Sequence, residues 1–103
     1  MDIKVEESVQ KFVHGLEKPT ISKFSKLVDL LEQFGSQLPM PYSRKVSNKL
    51  FELRIRGQQE ARIFYTFYQG RIILFHGFIK KTQKIPRKEI ETALKKLGAL
   101  TAT

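Results

Sequence analysis

The apolar pattern changes period once, at Leu50, and that change confines the chain to folds that place helices before a sheet. Ahead of it, Val5, Val9, Phe12, Val13 and Leu16 recur at helical spacing over about residues 4–17. Gly15 and the Lys18-Pro19 step interrupt this stripe. Ile21, Phe24, Leu27, Val28, Leu31 and Phe34 form a second one, which Gly35 is placed to end. Two stripes on a short link predict a helical hairpin.

Beyond Leu50, Phe51, Leu53 and Ile55 alternate with Glu52, Arg54 and Arg56, as in a strand with one packed face. Gly57-Gln58-Gln59 turns the chain into the β-forming residues 61–68, and Gln69-Gly70 turns it again into residues 71–80. Three strands on tight turns predict an antiparallel meander. Pro86 suits the first turn of a closing helix with Ile90, Leu94 and Leu97 on one face and Gly98 as its stop. Residues after Leu100 are read as a frayed tail. Leu38-Pro39-Met40-Pro41 and the polar residues up to about 48 fit neither period and are read as an ordered surface connection. A short extra strand over residues 1–4 is the remaining element. The expected fold class is α+β: an N-terminal helical hairpin packed on a small antiparallel meander, with a C-terminal helix. At 103 residues, a single domain over 1–103 is expected.

Charge is unevenly placed along this order. Residues 1–41 hold five Lys/Arg against six Asp/Glu, and residues 42–103 hold fourteen against four, so the net +9 belongs to the sheet and last helix. A face charged this way attracts polyanions, either nucleic acid or an acidic protein segment. The chain has no cysteine, which excludes disulfides, thiolate metal sites and cysteine nucleophiles and fits a reducing cytosol. No run of eighteen apolar residues occurs and the start carries Asp2, so neither a membrane span nor a signal peptide is expected. A cytoplasmic location follows as the expectation.

Alternate strand residues share a face, so Arg54 and Arg56 of the first meander strand and Arg62 of the second are expected opposite the helix-packed side, with His76 and Lys80 sharing parity on the third. Interleaved with Phe64, Tyr68 and Phe78, they would form a face suited to RNA, with cations on phosphates and aromatic rings on unpaired bases. For any one arginine a solvated strand face is the better account; convergence from three strands is what points to a ligand. Lys80, Lys81 and Lys84, with Thr82 and Gln83, crowd the strand-to-helix junction, where helix N–H groups also favour anions. A lysine cluster alone is more often a solubility or generic binding patch than a catalytic one; its place beside the sheet face is what singles it out. His76 is suited to proton transfer or to a hydrogen bond within the sheet, while His14 falls among polar helix positions. Tyr65 has the parity of Ile63 and Phe67 and is expected in the core; Tyr42 and Tyr68 remain free to stack.

HExxH, GxxxxGK[ST], GxSxG and Cys/His ligand spacings are all missing, so no metal or cofactor is expected. Phosphodiester chemistry would then be metal-free. RNA permits this because its own 2′-hydroxyl is the nucleophile, and a protein has to align it, neutralise the phosphate and assist proton transfer.

The runs ELRI (52–55), ARIFY (61–65) and LFHGFIKKTQKIPRKEIETAL (74–94) resemble the RelE/HigB superfamily of bacterial toxins, most closely its phage-related Gp49-like, HigB-type branch. The resemblance covers roughly residues 5–97. It implies a meander with a helical hairpin on one side, cleavage of mRNA in the ribosomal A site, and neutralisation by a HigA-type helix-turn-helix antitoxin in a hetero-oligomer. Carried over, Arg54 matches the ELR arginine and Arg62 the arginine of the second strand, both implied to hold phosphate. Lys80, Lys81 and Lys84 match the KKTQK lysines, implied in phosphate stabilisation or acid/base help. His76 is a further catalytic candidate, and Arg56, Tyr68, Thr82 and Gln83 are RNA-binding candidates. Ala61 stands where the family often has Tyr, Ile85 replaces a helix-capping Thr before Pro86, and the N-terminal strand is short or missing. No His, Asp or Tyr cluster near the C-terminus reproduces the catalytic set of some HigB members. A non-catalytic RNA- or ribosome-binding module, or a domain receiving an acidic partner segment, would use the same charges.

Overall fold

A computed structural model describes residues 1–102. The order is β1 (Asp2–Val5), α1 (Glu7–His14), α2 (Lys18–Phe34), a 3₁₀ turn (Gly35–Gln37), β2 (Ser43–Ser47), β3 (Leu50–Ile55), β4 (Ala61–Tyr68), β5 (Arg71–Ile79) and α3 (Arg87–Thr101). The sheet runs β1-β5-β4-β3-β2. β2 through β5 pair antiparallel, and β1 lies parallel to β5 with Val5 beside Leu74. The expected α+β class holds, with the antiparallel meander at β3-β4-β5 and the short first strand at β1; β1 pairs parallel and β2 adds an edge strand, so the sheet is five-stranded and mixed.

The helical hairpin covers one face. Val9 and Val13 of α1 and Leu27 and Leu31 of α2 are buried against Leu53, Ile55, Ile63, Tyr65, Ile72 and Leu74. Val5, read as the first residue of the helical stripe, belongs to β1, and the Glu6 N–H extends that pairing by donating to the Leu74 carbonyl at 3.0 Å. Helix α1 is correspondingly shorter than its apolar stripe. Pro19 sits in the first turn of α2, where a missing N–H leaves no intrahelical bond unmade. At the far end, Gly35 turns out of α2 at φ 54°, and its N–H donates to the Leu31 carbonyl.

Helix α3 packs on the opposite face, burying Ala93 and Leu97 against Leu50, Phe64, Ile73, Phe75 and Phe78. This corrects the expectation of an open face: Phe64 and Phe78 have the expected parity, but α3 covers them. The same helix runs through Gly98 to Thr101, since Leu100 still has apolar partners in this second core. A bulge at Phe64 and Tyr65 in the pairing with β5 sets Phe64 beside His76 and Tyr65 beside Leu74, so Phe75 is the extra residue. Residues 43–47, read as part of a connection, form the edge strand β2 instead.

Candidate functional site

Helix α3 leaves one end of its sheet face open, where β3, the start of β4 and the segment after β5 meet. Arg54 and Arg62 are directly paired across β3 and β4. Like charges in that position repel. Each arginine has a carboxylate two residues upstream on its own strand face or approach. Arg54 Nε lies 3.2 Å from Glu52 Oε1, which also contacts Arg44 Nε at 3.2 Å, and Arg62 Nη2 donates to Glu60 Oε1 at 3.0 Å.

Arg62 is only 1% exposed. Its Nη1 donates to the Ala61 carbonyl at 2.9 Å and to the Ile55 carbonyl at 3.4 Å. Glu52 is fully buried, and its ion pairs lack hydrogen-bond alignment: both of its oxygens, with Nε of Arg54 and of Arg62, have no hydrogen-bond partner among the described residues. These buried polar atoms form a charged layer beneath the sheet end. Arg56 stands above it with its side chain 58% exposed and its Nε 3.5 Å from Glu60 Oε1.

Backbone pairing carries the junction to the same place. The Lys80 N–H donates to the Glu60 carbonyl at 2.9 Å, extending the β4 to β5 ladder past Ile79. Arg54, Arg56, Glu60, Arg62, Lys80, Lys81, Thr82 and Gln83 line one open cleft of about 510 Å³. Burial, and after it the charge of Arg62, lowers the pKa of Lys80. Burial likewise leads, with Arg62 next, in lowering that of Arg54. For Glu60 burial pushes upward, but the Gly57 N–H and the guanidiniums of Arg62 and Arg56 outweigh it and hold the carboxyl below its ordinary range.

Of the residues picked out in the sequence, Arg54, Arg56, Arg62, Lys80, Lys81, Thr82 and Gln83 come together here. Lys84, His76 and Tyr68 do not line the cleft. The Lys84 side chain is exposed, and its carbonyl accepts from Thr82 Oγ1 at 2.6 Å, which ties the junction loop to itself. Tyr68 lies at the far end of β4, paired with Arg71. His76 is held between β5 and α3: Lys96 Nζ stands 3.1 Å from Nδ1 and Glu89 Oε1 2.8 Å from Nε2. Because an ammonium only donates, Nδ1 accepts and Nε2–H donates to Glu89. Tyr65 is in the core as expected, hydrogen-bonded to Ser43. Sequence reasoning missed Glu52 and Glu60, although Glu52 shares face parity with Arg54 and Glu60 with Arg62.

A five-stranded mixed sheet, helices on both faces and a cation-lined cleft at its uncovered end define a small basic α+β protein compatible with the RelE-like fold. The family model described as Phage derived protein Gp49-like (DUF891) matches residues 11–98, and the chain belongs to that family, which is one of RelE/HigB-like toxins. No curated protein gives a significant match to the chain. Among the described residues, no helix is long and apolar enough to cross a membrane.

Proposed function

We propose that this protein is a ribosome-dependent endoribonuclease of the HigB-type branch that cuts mRNA in the ribosomal A site without a metal. The observation that carries the reading is the convergence of cations from β3, β4 and the junction on one open cleft. A phosphodiester seated there meets exposed Arg56 and Lys81 at the rim and the fixed charges of Arg54 and Arg62 behind them. Such preorganised cations stabilise the crowded, more negative phosphorus of the transition state. The ribose 2′-oxygen bonds to phosphorus while the bond to the 5′-oxygen breaks. The 2′-hydroxyl gives up its proton and the leaving 5′-oxygen gains one, giving a 2′,3′-cyclic phosphate, or a 3′-phosphate after hydrolysis, and a 5′-hydroxyl. Lys80, whose pKa is lowered by its setting, is the assigned proton donor.

His76 has both ring nitrogens engaged beneath α3, and we assign it to anchoring that helix. The family's toxin character supports a cytoplasmic toxin, acting as one domain over 1–103 and held by a HigA-type antitoxin. The lack of an imidazole in the cleft favours one alternative, a module that binds RNA or ribosomes without cutting. Mapping mRNA 5′ ends after adding purified protein to translating ribosomes separates the two. Cleavage predicts new ends within A-site codons, lost with Lys81→Ala and Arg56→Ala together; ribosome binding with no new ends would establish the module instead.

A further inference from the structure

A second concavity opens on the other side of Arg54. It has a volume of about 280 Å³ and is lined by Lys23, Lys26, Leu27, Leu30, Pro41, Tyr42, Arg54 and Arg56. Its floor is aliphatic and aromatic and its rim is cationic. The walls are held in place by backbone bonds: the Tyr42 carbonyl accepts from the Arg54 N–H at 2.8 Å, and Arg54 Nη1 donates to the Pro41 carbonyl at 3.3 Å. Across the groove, Lys23 Nζ donates to the Arg56 carbonyl at 2.7 Å, joining α2 to the end of β3.

Arg54 and Arg56 line both this groove and the cationic cleft, so the two concavities are neighbours that meet at these side chains. A ligand that fills both must carry a negative charge in the cleft and a flat apolar group beside it in the groove. We infer that the groove is a nucleobase subsite, which receives the base next to the phosphate held in the cleft of a single-stranded RNA. The inference rests on the nuclease reading above. A helix laid in a groove needs a row of anchors over two turns. This groove is at the small end of ligand pockets and suits one ring system better. Base stacking on Tyr42 over the leucines, with flanking phosphates on Lys26 and Arg56, uses every region of the lining.

The lining also limits what the subsite reads. It contains no Asn, Gln, Asp, Glu, Ser or Thr side chain. Lys23 and Arg54 are already bonded to backbone carbonyls. With Lys26 and Arg56 on the flanking phosphates, the polar group left beside the base is the Tyr42 hydroxyl, which both donates and accepts and so fits either purine. Discrimination then comes from stacking area, with purines held above pyrimidines and adenine and guanine alike.

The test uses the full chain and fluorescent single-stranded RNA pentanucleotides, each lacking one base in turn, with affinity read by anisotropy. For the native protein, removing the base at one position weakens binding about tenfold or more, and removing the others has little effect. Tyr42 is 42% exposed, so Tyr42→Ala leaves the fold intact; it abolishes that sensitivity, and Tyr42→Phe retains it. Salt-sensitive RNA binding with no base-sensitive position overturns the subsite while the cleft reading stands. Loss of all RNA binding removes both. A Tyr42-dependent grip on an acidic, leucine-bearing peptide, with RNA indifferent to base removal, assigns the groove to a protein partner and also overturns the subsite. A strong preference of adenine over guanine would contradict recognition by stacking.

Discussion

Arg62→Ala is the substitution a sequence reading would choose to test catalysis, and burial makes it a poor one. It removes the donor of two carbonyls, leaves Glu60 with only Arg56 at 3.5 Å and the Gly57 N–H, and opens a hole beneath the cleft. Breaking a buried ion pair from one side is strongly destabilising, and with Glu60 partly exposed we expect a loss of about 2–4 kcal/mol in urea unfolding. Arg56→Ala, at an exposed position, should change stability by less than about 0.5 kcal/mol while weakening RNA binding. Lys80 gives a second prediction at this scale. Its pKa in the folded protein is lowered, chiefly by burial, so over the window from that value up to the ordinary lysine value the folded state binds fewer protons than the unfolded one. Its contribution to stability grows as pH rises through that window and is lost as pH falls below the folded pKa. A bound phosphate pulls the pKa back up, so RNA affinity should decline as pH rises through the same window. In Lys80→Met that component of the decline disappears, as titrations of affinity through that window would record. The shared face of Arg54 and Arg62 was legible from period-two spacing. Their burial was not, because it depends on α3 and on Glu52 and Glu60, whose partnership shows only once strand faces are assigned.

At the scale of elements, two glycines predict opposite outcomes. Gly77 lies where a Cβ would stand 2.8 Å from Phe12 Cε2, so α1 rests directly on the β5 backbone. Gly77→Ala forces that ring or the helix outward and should cost about 1–3 kcal/mol in thermal or urea unfolding. Gly98 lies within α3, where an added Cβ would meet nothing within 4 Å, and Gly98→Ala should stabilise by about 0.5–1 kcal/mol by raising helix propensity. Gly98 read locally as a helix stop because glycine is a poor helix former; the packing of Leu100 on the second core overrides that preference. Strand β2 was illegible for a related reason. Its sequence, SRKVS, carries little apolar alternation, and its strand state comes from pairing with β3. By contrast β3, β4 and β5 follow their own patterns, and the turns at residues 57–59 and 69–70 lie where glycine placed them. The His76, Glu89 and Lys96 cluster belongs to this scale too. His76→Asn should loosen α3 and lower the melting temperature while leaving cleavage per folded molecule unchanged, which a turnover assay normalised to folded protein would show.

For the whole molecule, the important arrangement is an incomplete cover. The helical hairpin packs on one face of the sheet and α3 on part of the other, so cations from β3, β4 and the junction share an open patch beside α3. The charge imbalance between residues 1–41 and 42–103 was readable as a sign of a polyanion partner. Which cations would meet was not, because that depends on where α3 stops covering the sheet. The most direct test is the salt dependence of single-stranded RNA affinity. Each phosphate neutralised in the cleft contributes a slope of about −0.7 in log affinity against log salt. Removing both rim cations in Arg56→Ala with Lys81→Ala should flatten the slope by about 1.4 if each meets one phosphate. A slope unchanged by that double substitution would mean that RNA phosphate is not held in the cleft.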